Sequence, residues 1–194
     1  SFSDCFAPTA SFLSALILLC FAAMFGWFIG SIDYSQAYLN ADLDEICYMR
    51  APEYLREYDP IDGVEFIWEL HKAIYGHPRS GRLWARCLQD KLESLGFTQF
   101  QTDQCVYSKW ENDPGAIVPR FCFLCIHADD VIILSNDQKH MEFIKKLLLE
   151  AFEGSDQGVL TSFCGVKIDV KDSGVSLSMS YYWDKVLKKF GIKP

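Results

Sequence analysis

The sequence predicts an α+β fold, and three observations carry that reading. Half of the 194 residues are hydrophobic and 15% are aromatic, enough for a sizeable core in one large domain or two small ones. Stretches with a helical period of apolar residues intermix with short strand-like runs. Successive apolar runs are joined by tight turns, which implies hairpins and an antiparallel sheet rather than parallel βαβ units.

Taken in order, the first element is uncharged. No residue from Cys5 to Ile32 carries a charge, and about 20 apolar residues suffice to cross a bilayer, so a membrane span at about 10–30 is one reading. Ser11, Ser14, Gly26 and Gly30 interrupt the run, and no Lys or Arg near its ends sets an orientation. The reading adopted is a buried helix over 12–24 followed by a strand through WFIGSIDY, with the span kept as the alternative. AYLNADLDEICYMRAPEY then predicts a turn and a short strand, EYDPIDGVEF a loop, and EFIWEL a strand. In HKAIYGHPRSGRLWARCLQDKLESLGF, Ser80 is placed to cap a helix whose apolar positions run from Leu83 to Leu95, with Gly96 as terminator. DQCVYSKW is a strand and ENDPGAIVP a loop. FCFLCIHADDVIILS forms two strands with a tight turn at the aspartates. A helix over 138–152 follows, capped by Asn136 or Asp137, with Ile144, Leu147, Leu148 and Ala151 inward. The chain closes with strand SFCGVKIDV, a turn at Gly174, strand VSLSMS, and a helix YYWDKVLKKF stopped by Gly191.

Charge narrows the function classes. The net charge is −8, the wrong sign for gripping nucleic acid over the whole surface. Residues 1–70 hold two bases against eleven acids, whereas residues 71–100 hold five bases against two acids, so phosphate contacts are expected in that second block. Arg79, Arg82 and Arg86 share one flank of its helix, either as phosphate or template contacts or as a solvated face. The eight scattered cysteines suit buried free thiols in a reducing, intracellular compartment. Cys122 and Cys125 fall on opposite faces of one strand with no second pair, so they form no zinc site.

The paired carboxylates Asp129 and Asp130 stand between two apolar runs. A turn-forming role alone would account for them. Asp33, however, also follows an apolar strand and is the first charge after 28 uncharged positions. If its strand lies beside the hairpin, three carboxylates crowd one sheet end, and their repulsion calls for cations. Two Mg²⁺ or Mn²⁺ ions about 3.5–4 Å apart would relieve it, the arrangement used for in-line nucleotidyl transfer.

These residues stand among a longer set of signposts: AYLNADLDEICYM, LHKAIYG with SGRLW, LGFTQFQTDQCVY, HADD and FCGVKI, in that order. Together they make the chain resemble the reverse transcriptase domain of copia-type LTR retrotransposons, from CFAPTASF at Cys5 to KVLKKFGI. The resemblance implies one domain over 1–194, a polymerase palm of antiparallel sheet backed by helices with part of the fingers. The N-terminal fingers strands, thumb and RNase H would be supplied elsewhere in a polyprotein, so the chain alone is expected to extend primers weakly or not at all. It further implies RNA-directed DNA polymerase activity on an RNA or DNA template with a primer and deoxynucleoside triphosphates. By the same likeness Asp33, Asp129 and Asp130 match the metal-binding carboxylates, with the Tyr34 backbone carbonyl as a further ligand. Tyr38 matches the aromatic beneath the incoming sugar, Arg79 stands beside the nucleotide, and Phe163 and Gly165 lie in the element that holds the primer end.

The departures from the family pattern are specific. His127 and Ala128 replace a tyrosine and a small apolar residue before the aspartates. Arg79 replaces glutamine and Gly81 replaces proline in YGHPRSGRLW, and Ser155 replaces the lysine usual before Asp156. Two rivals therefore stay open: an inactive remnant that binds nucleic acid or protein, and the membrane-anchored protein.

Overall fold

The computed structural model describes residues 5–112, 117–171 and 174–192, apart from the side chain of Tyr181. Residues 113–116, in the predicted ENDPGAIVP loop, and residues 172–173, next to the Gly174 turn, lie outside the described residues. The elements are helices α1 (Phe12–Phe25), α2 (Ser80–Ser94), α3 (Gln138–Ala151) and α4 (Ser180–Lys189). The strands are β1 (Phe28–Tyr34), β2 (Asp42–Arg50), β3 (Ile67–Lys72), β4 (Thr98–Gln99), β5 (Val106–Glu111) and β6 (Arg120–His127), then β7 (Asp130–Ser135), β8 (Gly154–Gly158), β9 (Ser162–Phe163), β10 (Val166–Lys171) and β11 (Gly174–Ser178). Mixed helices and antiparallel sheets make this an α+β fold, as expected.

The chain divides into two compact units. The smaller, residues 1–7 and 36–89, contains the antiparallel β2–β3 pair, a 3-10 turn over Ala37–Asn40 and most of α2. Ser80 does not cap α2 as the sequence suggested. Its hydroxyl donates to the Ile74 carbonyl at 2.6 Å, and the Arg79 carbonyl accepts from Leu83 N–H.

The larger unit, residues 8–35 and 90–194, holds a six-stranded sheet in the order β4-β5-β6-β7-β1-β8. Strand β1, from near the N-terminus, is inserted between β7 and β8 and pairs antiparallel with both. The apolar run over β7 is continuous because both of its faces are covered. Helix α3 packs against β6, β7, β1 and β8 on one face. On the other, Ala15, Leu18, Leu19 and Ala22 of α1 join Ile29, Val106, Cys125, Ile132 and Leu134 of the sheet, together with Phe163 and Ile168 from the smaller sheet β11-β10-β9.

The predicted burial of α1 holds for one face only. Phe12, Leu13, Ile17, Phe21, Met24 and Phe25 are exposed, because a helix that is apolar all round meets the sheet along a single side. No helix among the described residues is long and apolar enough to cross a membrane. Of the cysteines, only Cys105, Cys122 and Cys125 are buried, and all eight are free thiols.

Two further corrections concern β-structure. SFCGVKIDV is not one strand: Cys164 and Gly165 take φ of 48° and 78° and form the two-residue turn between β9 and β10. FEGSDQGVL, read without a strand, contributes β8, an edge strand of low intrinsic propensity held by its ladder with β1.

A buried charge ties α3 to that edge. Lys145 is almost fully buried, and its Nζ lies 2.8 Å from Asp156 Oδ1 and 3.6 Å from Glu142 Oε1. Burial pulls the Asp156 carboxyl upward, but the hydrogen bonds from Lys145 and from Gly158 N–H, with the Lys145 charge, hold it below the usual carboxylate range. The stability it contributes is therefore present above the ordinary carboxylate pKa and is lost as pH falls through the depressed one.

Two stability predictions follow from these elements. Removing Lys145 leaves Asp156 near solvent, whereas removing the Asp156 charge leaves a buried ammonium, so Asp156→Asn should lower the urea midpoint more than Lys145→Met. Equal effects would mean the cation is not truly desolvated. Separately, Ala128 sits at φ 57° in the β6–β7 turn. A Cβ at positive φ costs about 1–2 kcal/mol and glycine's extra unfolded-state entropy offsets about 0.4–1 of it, so Ala128→Gly should stabilise the chain by up to about 1.6 kcal/mol.

Candidate active site at the hairpin end of the central sheet

Residues Ala128 and Asp129 are the two-residue connection between β6 and β7, so Asp129 sits at the tip and Asp130 is the first residue of β7. The register of β1 on β7 puts Asp33 directly opposite Asp130. Tyr34 N–H donates to the Asp129 carbonyl at 3.0 Å, which fixes the end of β1 to the hairpin tip. By strand alternation, Asp33 and Asp130 project to the same face as Ile29, Ile132 and Leu134. Across the sheet the row continues to His127, opposite Asp130, and to Ser155, opposite Asp33.

The electrostatics follow from this crowding. Desolvation first, and then the Asp129 charge, raise the Asp33 carboxyl above its ordinary value. For Asp130 desolvation again leads, Asp129 and Asp33 add to the rise, and His127 partly counteracts them. No Lys or Arg contributes to either shift. Such a donor set, hard oxygens with uncompensated negative charge, fits a divalent cation. The side chains nevertheless form no closed nest: among the described residues no three His, Cys, Asp or Glu converge as a ready metal cluster. Tyr34 has its phenol on the opposite face, buried edge-on to Phe152 with ring centroids 5.8 Å apart, and burial pushes its pKa well up.

Beside the carboxylates lies a cavity of about 330 Å³ lined by Ser31, Asp33, Asp130, Gln157, Thr161 and Phe163 among others. Phe163 is a core residue, 3% exposed, with its ring edge-on to His127 at 5.8 Å. In the β9–β10 hairpin, Phe163, Val166 and Ile168 face the core, while the Cys164–Gly165 turn is exposed. The Nδ1 of His127 is buried without a hydrogen-bond partner among the described residues.

The remaining sequence-predicted residues belong to the smaller unit. Arg79 is engaged there, its Nη1 2.9 Å from Glu45 Oε2 and its Nη2 bonded to Asp44 Oδ2. Tyr38, in the 3-10 turn, packs its ring against Tyr75 at 4.6 Å. Arg82 is half-buried and Arg86 exposed on α2.

Sequence reading missed the hydroxyl and amide wall of the cavity, Ser31, Gln157, Thr161 and Ser162. No local signal marked it, because these positions come together only once β8 and the β9 hairpin are in place.

Comparison with known proteins gives this geometry a family. A model described as "Reverse transcriptase (RNA-dependent DNA polymerase)" matches residues 1–194. The chain is 26% identical over 194 residues to the retrovirus-related Pol polyprotein from transposon TNT 1-94 of Nicotiana tabacum, covering 99% of this chain and 14% of that protein. It is 25% identical over 153 residues to the putative transposon Ty5-1 protein of Saccharomyces cerevisiae, covering 78% and 46% respectively. Over 181 residues it is 25% identical to the Pol polyprotein from transposon RE1 of Arabidopsis thaliana, covering 93% and 12%. The chain thus spans less than half the length of each of these relatives. A match over the whole chain, with relatives drawn from copia-type transposon polyproteins, means that this protein belongs to the reverse transcriptase (RNA-dependent DNA polymerase) family.

Proposed function

We propose that this chain is the palm, with part of the fingers, of an RNA-directed DNA polymerase carried in a retrotransposon polyprotein. The observation that supports this most is the β1–β7 register, which sets Asp33 across from Asp130 at the hairpin tip that bears Asp129. In the reaction, the 3′-hydroxyl of a primer attacks the α-phosphate of a deoxynucleoside triphosphate. A new O–P bond forms, the bond to pyrophosphate breaks, and the hydroxyl proton departs.

Asp33, Asp129 and Asp130 would hold Mg²⁺ or Mn²⁺, with the Tyr34 carbonyl as a further ligand. Two such ions, when bound, stabilise the attacking and leaving oxygens. The Tyr34 N–H bond to Asp129 and the cross-strand ladder keep the carboxylate-bearing backbone rigid, so orientation is set before substrate arrives. Tyr38 would stack beneath the incoming sugar. Arg79 would reach a nucleotide only by exchanging its bonds to Asp44 and Glu45, while Arg82 and Arg86 offer cationic contacts to template phosphates. That engagement of Arg79 is the one observation favouring the rival reading, a non-catalytic nucleic-acid or protein binding module.

Mg²⁺-dependent primer extension, measured on the polyprotein that carries this chain, tests the proposal. Asp33→Asn or Asp129→Asn should each reduce the rate by at least about 100-fold, in line with the loss of one strong transition-state stabiliser. Extension surviving both substitutions would sink the assignment.

The same carboxylates should cost stability. Because the Asp130 pKa is raised, its ionised form disfavours the fold, a penalty absent below the ordinary carboxylate pKa and complete above the raised one. Asp130→Asn is therefore expected to raise the thermal midpoint of this chain at pH 7 in the absence of divalent cations, with the gain fading on acidification. A lower midpoint at pH 7 would show that Asp130 is compensated in the fold.

A further inference from the structure

The ladder between β1 and β8 slips by one residue. Ser31 pairs with Gly158 and Ile32 with Asp156, which leaves Gln157 without a register partner. A bulge of this kind re-aims one side chain, and bulges gather beside active sites. Here it is a built feature. Asp156 Oδ1 accepts from Gly158 N–H at 2.8 Å and from buried Lys145 at 2.8 Å, and Gly158 takes φ 72°, where a glycine is free of strain.

The side chain so displaced lines the cavity that Asp33 and Asp130 also line. Gln157 Nε2 donates to Ser155 Oγ at 2.7 Å. The amide carbonyl Oε1 makes no hydrogen bond among the described residues and is the group left for an occupant. Beside the two carboxylates the wall is thus rich in acceptors, while the hydroxyls of Ser31, Thr161 and Ser162 can serve in either sense. No Lys or Arg lines the cavity. From the protein's own side chains an anionic phosphate finds no donor charge there, whereas a neutral group bearing O–H donors is matched.

We propose that Gln157, aimed by the β8 bulge, is a specificity-determining residue for the terminal sugar of the primer strand, accepting a hydrogen bond from a sugar hydroxyl through its side-chain carbonyl. This rests on the polymerase reading above. It adds to that reading a neutral, hydroxyl-selective subsite next to the carboxylates. Gln157 is exposed and outside the core, so replacing it leaves the fold intact.

The test is fluorescence anisotropy of the polyprotein that carries this chain, with Mg²⁺, on primer–template duplexes that differ only at the primer terminus, a ribose, a 2′-deoxyribose or a 2′,3′-dideoxyribose. The native polyprotein should bind a hydroxyl-bearing terminus roughly two- to tenfold more tightly than the dideoxy terminus, the worth of one hydrogen bond. Gln157→Met should abolish that preference while leaving dideoxy binding and the thermal midpoint unchanged, and Gln157→Glu, which keeps an acceptor, should retain part of it. Equal affinity of the native polyprotein for all three termini, or an unchanged preference in Gln157→Met, overturns the role of Gln157 and leaves the polymerase reading standing. Failure of the native polyprotein to bind any duplex overturns both.

Discussion

Like charge held at close range is the constraint on which this structure turns. A ladder that pairs Asp33 with Asp130, next to a turn that bears Asp129, puts negative groups where the surroundings supply no lysine or arginine to offset them. Nothing in packing alone favours that. The fold tolerates it because the strands behind these residues are among the most deeply buried in the chain, with Ile132, Ile133 and Leu134 excluded from water. Apolar burial at roughly 25 cal/mol per Å² supplies stability on the sheet that the crowded end gives back. A strained alanine in the connecting turn is a second local cost at the same place.

The two faces of the sheet solve different problems. The α1 face is a dry contact of small and branched side chains, and it carries the carboxylates at its rim. The α3 face admits a cation, Lys145, which Gly30 accommodates because a Cβ there would lie 2.7 Å from Lys145 Cε. That cation is met by Asp156 on the edge strand. Charge on one face thus fixes backbone geometry whose effect is felt on the other, where the neighbouring residue Gln157 emerges.

Much of this was legible in the chain because it depends on local pattern. The uncharged run gave α1 and β1 nearly to the residue, and the two apolar runs around Asp129 and Asp130 gave the hairpin. What could not be read depends on partners distant in sequence. GSDQG has no strand propensity and becomes β8 only because β1 offers it a ladder. Arg79 looked available for phosphate, but its partners Asp44 and Glu45 lie 35 and 34 positions away on β2. Ser80 is the first residue of α2 rather than the residue before it, and its hydroxyl donates to the Ile74 carbonyl, so a cap motif with the right letters sits one position too far along the chain. The turn at Cys164–Gly165 did carry a signal, a glycine in a strand-like run, although cysteine is an unusual companion at positive φ.

The insertion of β1 between β7 and β8 has a kinetic corollary. Its partners are translated about a hundred residues later, so β1 emerges from the ribosome long before either neighbour exists. During that interval a seven-residue apolar strand and the helix before it have no sheet to join. The three carboxylates therefore come together only once β7 has been synthesised, and closing so long a loop makes that step slow.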